Sequence, residues 1–190
     1  MRRLYIAAWR QRWCLGCAIA AWLMAVPITF AQVPAGPVVS GHMVLATNAA
    51  HAGSDARAAV VAEVASGYHI NAHVPSLDYL IPTEIKLEAQ GPVTVGSVAY
   101  PKGSPVKFSF LDTPISVYEG KLLVGVTLKV APNAQPGSYP LKGALNYQAC
   151  NDHACLPPAS LPLALTVKIV PKSESLKRVN SEVFSGIKFN

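Results

Sequence analysis

The sequence predicts an all-β protein, an immunoglobulin-like antiparallel β-sandwich, and three observations carry that expectation. Late in the chain, three runs alternate apolar with less apolar residues at a period of two, the mark of a strand with one buried face. These runs and several shorter ones are separated by clusters of Pro, Gly, Asn and Asp. Such turn chemistry at short intervals suits roughly seven to nine strands in a sandwich. After residue 31, no stretch places apolar residues convincingly at helical spacing.

Residues 1–31 have the order of an export signal. Arg2, Arg3, Arg10 and Arg12 precede an uncharged apolar run from Trp13 to Val26, and Thr29 and Ala31 sit where a signal peptidase cuts. The run is short for a membrane span and has no stop-transfer flank. Its removal takes away all three tryptophans, Cys14, Cys17 and four arginines but no acidic residue, so the formal charge falls from +6 to +2. The basic character thus belongs largely to the signal and does not argue for a nucleic-acid partner. The 159 residues that remain suffice for one core and contain no further apolar span. One soluble periplasmic domain, without stable membrane insertion after cleavage, is expected.

Residues 32–39, QVPAGPVV, read as a flexible leader, and residues 40–170 as the domain proper. RAAVVAEVA (57–65), TEIKLEA (83–89) and VKFSF (106–110) are short β-type runs. In KLLVGVTLKV, Leu122, Val124, Val126, Leu128 and Val130 share a face. In SYPLKGALNYQAC the same holds for Tyr139, Leu141, Leu145 and Tyr147, with Gly143 among them. In SLPLALTVKIV it holds for Leu161, Leu163, Leu165, Val167 and Ile169. The turn-forming APNAQPG (131–137) predicts the first two of these runs as antiparallel neighbours. Pro171 closes the last run, and residues 171–190 are expected to form a polar, basic, mobile tail.

The chemistry concentrates in NYQACNDHACLPP, Asn146 to Pro158, which holds both cysteines that survive signal removal. If the alternation of the preceding run continues through Tyr147, Cys150 leaves the strand on the face opposite the core. Pro157 and Pro158 end ladder pairing, so Cys155 lies in a loop or strand start within disulfide reach of Cys150. Such a small ring stabilises by only about 2 kcal/mol in the loop-entropy picture. An exposed ring of this kind suits thiol–disulfide exchange better than stapling; exported domains also carry small rigidifying disulfides, so a structural brace remains the alternative. Between the cysteines, a protonated His153 would favour a neighbouring thiolate and Asp152 would disfavour it. A copper-type site from Cys150, Cys155 and His153 with His69 or His73 is chemically conceivable. The C-x4-C spacing and the absence of a second cysteine pair argue against it, and His69 and His73 lack a helix that would align them. No Ser-His-Asp set, phosphate loop or carboxylate pair can be argued from spacing.

YQACNDHACLPP resembles the active-site segment of the N-terminal, immunoglobulin-like periplasmic domain of the thiol:disulfide interchange protein DsbD family. GYHIN (67–71), YLIPTEIKL (79–87), FSF (108–110), VYEG (117–120) and PGSYPLKG (136–143) agree with it, over about residues 40–170. The resemblance implies that Cys150 and Cys155 cycle between dithiol and disulfide with no metal or organic cofactor. Cys155 would enter the mixed disulfide and Cys150 would resolve it. It also implies an aromatic cap near Phe108-Ser109-Phe110 and a pocket shaped by Tyr147, Gln148 and Tyr68; Phe108, Phe110 and Tyr68 suit an ordinary core equally well. Periplasmic thioredoxin-fold oxidoreductases are the implied partners. Relatives continue into a transmembrane electron carrier and a thioredoxin-like domain, so a membrane electron donor on a separate chain is expected here. The C-x4-C spacing is one residue shorter than the best-known form, and Asp112 is the one evident acidic residue beside the cap. The competing function is a secreted, non-catalytic binding module that keeps the disulfide as a brace.

Overall fold

The computed structural model describes residues 36–88, 91–109 and 111–189. The expected signal, residues 32–35 of the leader and Phe110 lie outside the described residues. In chain order the strands are β1 (Val39–Leu45), β2 (Ala50–His51), β3 (Asp55–Val64), β4 (His69–Asn71), β5 (Glu84–Glu88) and β6 (Val93–Ala99). They continue with β7 (Ser104–Val106), β8 (Ile115–Tyr118), β9 (Lys121–Val130), β10 (Gly137–Tyr147), β11 (Ala149–Cys150) and β12 (Ala159–Val170), followed by a helical turn α1 (Ser181–Phe184). One sheet runs β1-β3-β9-β6 and a second β2-β12-β10-β5. Their inner faces share one apolar core: Val60, Val124, Val126 and Leu128 from the first meet Leu141, Leu145, Leu163 and Val167 from the second. This is the immunoglobulin-like sandwich that the period-two runs predict.

β10 and β12 pair antiparallel over their length, from Gly137 opposite Ile169 to Tyr147 opposite Ala159. The turn at 131–137 does not make β9 and β10 neighbours, however. β9 lies between β3 and β6, and β10 between β12 and β5, so that turn carries the chain from one sheet to the other. Both strands are apolar on one face, and placing them on opposite sheets lets those faces bury each other.

A third, small sheet, β11-β4-β8-β7, grows from the sandwich strands. β3 ends at Val64 and returns as β4 through a turn in which Gly67 takes φ +80° and the Tyr68 N–H donates to the Ala65 carbonyl at 3.0 Å. A side chain at Gly67 would be strained in that conformation. β8 runs into β9 through Glu119-Gly120, and β10 runs into β11 across Gln148. The small sheet therefore sits where β3 ends, β9 starts and β10 ends.

Residues 171–189 form no mobile tail. The Val179 N–H donates to the Ala46 carbonyl at 2.9 Å, and the Asn48 N–H to the Lys177 carbonyl at 3.0 Å. Asn180 Nδ2 donates to the Leu45 carbonyl at 2.9 Å. Val183 is buried, and the Arg57 guanidinium stands 4.9 Å from the Phe189 ring centre. A Cβ on Gly125 would lie 2.6 Å from Ile187 Cγ2 and 2.9 Å from Phe189 Cε1, so that glycine seats the tail on β9. The charged residues of this segment suggested solvation, whereas Val183, Ile187 and Phe189 supply apolar area that water disfavours. The leader is also shorter than expected, since Val38 and Val39 are already buried.

Candidate functional site

The two cysteines form a disulfide with Cα atoms 3.9 Å apart, between β11 and an isolated antiparallel bridge at Cys155. The intervening loop is built by Asn151, whose Oδ1 accepts the His153 and Ala154 N–H groups, each at 2.9 Å. The Asn151 N–H donates to the Ala154 carbonyl at 2.9 Å. An asparagine side chain that caps its own following backbone is a common turn device, and it is the signal in CNDHAC that the sequence analysis passed over. Beyond the loop, the Leu156 N–H donates to the Ala149 carbonyl at 2.7 Å. Gln148 Nε2 donates to the Leu156 carbonyl at 3.3 Å, so Gln148 clamps both limbs of the ring.

Cys150 is 1% exposed, against the expectation that it faces away from the core. The chain leaves the β10 ladder at Gln148 and re-enters pairing at Ala149, so Tyr147, Ala149 and Cys150 are all buried. The break resets the alternation, as a bulge does. Cys155, by contrast, is exposed. The two sulfurs therefore occupy unlike environments although they are bonded to each other.

β4 supplies what lies beneath the ring. Cys150 stands directly opposite His69, and Ala149 opposite Ile70. His69 is 3% exposed, and its ring stacks on Phe108 with centroids 4.0 Å apart and an interplanar angle of 27°. Asn71, fully buried, holds β4 in place. Its Nδ2 donates to the Ile81 carbonyl at 2.9 Å, and its carbonyl accepts the Thr83 hydroxyl at 2.6 Å. His69 and Asn71 were not singled out for the exchange site from sequence; the pairing that brings His69 to Cys150 joins residues 81 positions apart.

Phe108 does not lie in a strand. β7 ends at Val106, so Lys107 and Phe108 leave the ladder rather than alternate in it; the Leu111 N–H donates to the Phe108 carbonyl at 3.2 Å and Lys107 Nζ donates to the Asp112 carbonyl. Phe108 is buried among Leu80, Ile115 and Val117, a small core of its own, and covers His69 with one face. Its segment reaches the cysteine loop through Ser109 Oγ, which donates to the Asp152 carbonyl at 3.2 Å. Tyr68 is half-buried and packs against the main core, and with His69, Glu63, Glu119 and Asp152 it lines a cavity of about 400 Å³. Tyr147 is a core residue, its phenol pushed up by burial and bound to the Val39 backbone, which offsets part of that rise. His153 is exposed on the loop. His73 is engaged elsewhere, stacked on Tyr100 at 3.7 Å with Nδ1 3.0 Å from the Thr83 carbonyl. Among the described residues no group of three or more His, Cys, Asp or Glu is arranged to hold a metal ion.

Burial holds the His69 imidazole below its ordinary value of 6.5, with the Asp152 charge opposing that shift. The unfolded chain therefore takes up this proton at higher pH than the folded one, and stability falls as pH drops below about 6.5, levelling off below the folded value. His69→Phe is expected to flatten that acid limb; urea midpoints measured between pH 4 and 7.5, roughly the range over which a histidine charges, check it.

Over residues 39–166 the chain matches the N-terminal family of the thiol:disulfide interchange protein DsbD. It belongs to that family. DsbD N-terminal domains are periplasmic and take part in thiol–disulfide exchange. Among solved structures, the Neisseria meningitidis DsbD N-terminal domain in the reduced form is 18% identical over 72% of this chain and 89% of its own, with a TM-score of 0.41. The N-terminal periplasmic domain of ScsB from Proteus mirabilis is 16% identical over 70% of this chain and 48% of its own, TM-score 0.42. A complex between the DsbD N-terminal and PilB N-terminal domains from Neisseria meningitidis includes a chain 20% identical over 64% of this one and 80% of its own, TM-score 0.37. No curated protein matches. Among the described residues no helix is long and apolar enough to cross a membrane.

Proposed function

We propose that this DsbD N-terminal domain is a periplasmic protein-disulfide reductase that passes reducing equivalents to partner oxidoreductases through Cys150 and Cys155. The observation that carries this reading is the unequal burial of the pair, with Cys155 exposed and Cys150 buried. In the reduced protein the Cys155 thiolate attacks the partner's disulfide in line, the partner's first thiolate leaves, and a mixed disulfide forms. Cys150 then attacks Cys155 Sγ, the intermolecular bond breaks, and the partner's second sulfur departs as a thiolate. The domain ends oxidised and the partner reduced by two electrons. A buried resolving sulfur is protected from outside thiols and still adjacent to the one bond it must break.

Docking is supported by apolar surface beside the ring. Leu156 is half-buried and Pro157 and Pro158 are exposed. Tyr79, 69% exposed, adjoins Leu80, which packs on Phe108. A thioredoxin-fold oxidoreductase is the acceptor proposed for this surface, and a membrane protein is the proposed electron donor. The charged, apolar and small-residue order of residues 1–31 supports export to the periplasm.

A redox titration tests the reading. A carrier is expected to titrate well above about −300 mV, within range of periplasmic thiol pools, whereas a structural brace stays oxidised to below that potential. A midpoint under −300 mV, roughly the boundary for structural disulfides, would favour the non-catalytic binding module instead.

A further inference from the structure

Cys150 has to ionise before it can resolve a mixed disulfide, yet its side chain is 1% exposed, and apolar burial makes a thiol harder to deprotonate. A group beside it must take the proton. The residue directly across the ladder is His69, and opposite residues of an antiparallel pair project to the same face with Cβ atoms roughly 4.5–5.5 Å apart. His69 Nε2 is buried and has no hydrogen-bond partner among the described residues. Buried polar atoms are nearly always paired, so an orphaned nitrogen on the residue paired with Cys150 calls for a reason. Stacking on Phe108 fixes the ring plane.

Resting on the exchange mechanism above, we propose that His69 is the proton acceptor that activates Cys150 in the resolving step. With the mixed disulfide on Cys155, His69 Nε2 takes the proton from Cys150 Sγ. The thiolate so formed attacks Cys155 Sγ, the bond to the partner breaks, and its electron pair leaves on the partner's sulfur. The imidazolium returns its proton to that thiolate or to water. Two cysteine thiols have become a disulfide and the partner's disulfide two thiols, with no other reductant or oxidant.

The surroundings suit both states of the ring. Burial keeps the imidazole neutral near pH 7, which is the form that accepts a proton. The cavity of about 400 Å³ beside it offers a route to solvent, and its charged lining is entirely acidic: Glu63 from β3, Glu119 from the β8–β9 turn and Asp152 from the cysteine loop. These carboxylates favour the transient imidazolium. Tyr68 is the remaining titratable group in that lining, and Phe108 closes the opposite side of the ring without a charge.

The test uses the reduced protein and an aryl disulfide, dithiobisnitrobenzoate, which releases one coloured thiolate when Cys155 attacks and a second when Cys150 resolves. Because the arylthiolate leaves unassisted, the second phase reports activation of Cys150 alone. His69→Phe keeps an aromatic ring over Phe108 and removes the nitrogens. It is expected to leave the first phase unchanged and to slow the second by on the order of 100-fold at pH 7, the low end of general-base contributions. In the unsubstituted protein the second phase should fall on acidification through the lowered His69 pKa; in the variant it should follow thiol ionisation alone, displaced to higher pH. An unchanged second phase and pH profile would overturn the role of His69 and leave the exchange mechanism standing. Absence of the first phase in the unsubstituted protein would overturn both. Should the variant not fold, nuclear magnetic resonance of the unsubstituted protein decides: the His69 imidazole is expected to titrate differently in the dithiol and disulfide forms, and identical titrations would sink the proposal.

Discussion

Cys150→Ala is expected to yield a protein that alkylates quickly and captures a disulfide-bearing thioredoxin-fold protein as a stable mixed disulfide, whereas Cys155→Ala is nearly silent in both assays. The reason is access. An incoming sulfur needs an in-line approach to the one it meets. Cys155 is exposed after the Asn151-centred turn, while Cys150 lies in β11, paired with β4 and 1% exposed. Removing Cys150 deletes the one thiol placed to break the mixed disulfide, so that species accumulates. Removing Cys155 leaves a thiol buried at 1% exposure, which an outside reagent cannot approach in line. Alkylation of the two single-cysteine variants across pH, with mass analysis of the trapped complex, reads both halves. The opposite pattern would exchange the roles of the cysteines, and two silent variants would return the pair to a structural brace.

Leu145→Ala is expected to destabilise the domain by about 2–5 kcal/mol, among the largest costs a single core truncation carries. Leu145 is wholly buried, near the end of β10, opposite Leu161 of β12 and Ile85 of β5. The neighbours that would have to move into the space are themselves held in ladders. Gly143, two residues earlier on the same strand, leaves little slack: a Cβ there would lie 2.8 Å from Leu87 Cα and meet the Lys86 carbonyl. β5 and β10 are therefore already in close backbone contact and cannot collapse further, so the cavity persists and its cost adds to the lost transfer free energy. Denaturant unfolding of the disulfide-intact protein measures it, and a loss below about half a kcal/mol would mean that the inward face of β10 is misassigned.

Much of this protein is legible in its residues taken in order. The inward faces of β9, β10 and β12 follow from alternation alone, because a strand presents successive side chains to opposite sides and water sorts them. The cysteine ring was equally plain: two thiols five positions apart, bracketed by Gln148 and a proline pair, belong to one small ring whatever the rest of the fold does. Local composition also marked Phe108, through a motif whose resemblance pointed to a cap. Periodicity failed wherever the chain left a ladder. The interruption at Gln148 turned Cys150 inward, and the chain leaves the ladder after Val106, before Phe108.

What the sequence by itself determined is thus the strands β3, β5, β9, β10 and β12, the core faces of the last three and the existence of a close cysteine pair, all consequences of interactions between residues near in the chain. The tertiary structure alone decided which sheet each strand joins, which sulfur is exposed and what stands beside the buried one. His69 reaches Cys150 across 81 residues of chain, Phe108 reaches His69 across 39, and the tail reaches Gly125 across more than 60. Contacts at such separations are selected by packing two sheets, a small extension and a returning tail into the least exposed apolar area. No local pattern encodes that selection, because a buried histidine and an exposed one carry the same letter until the chain folds around them.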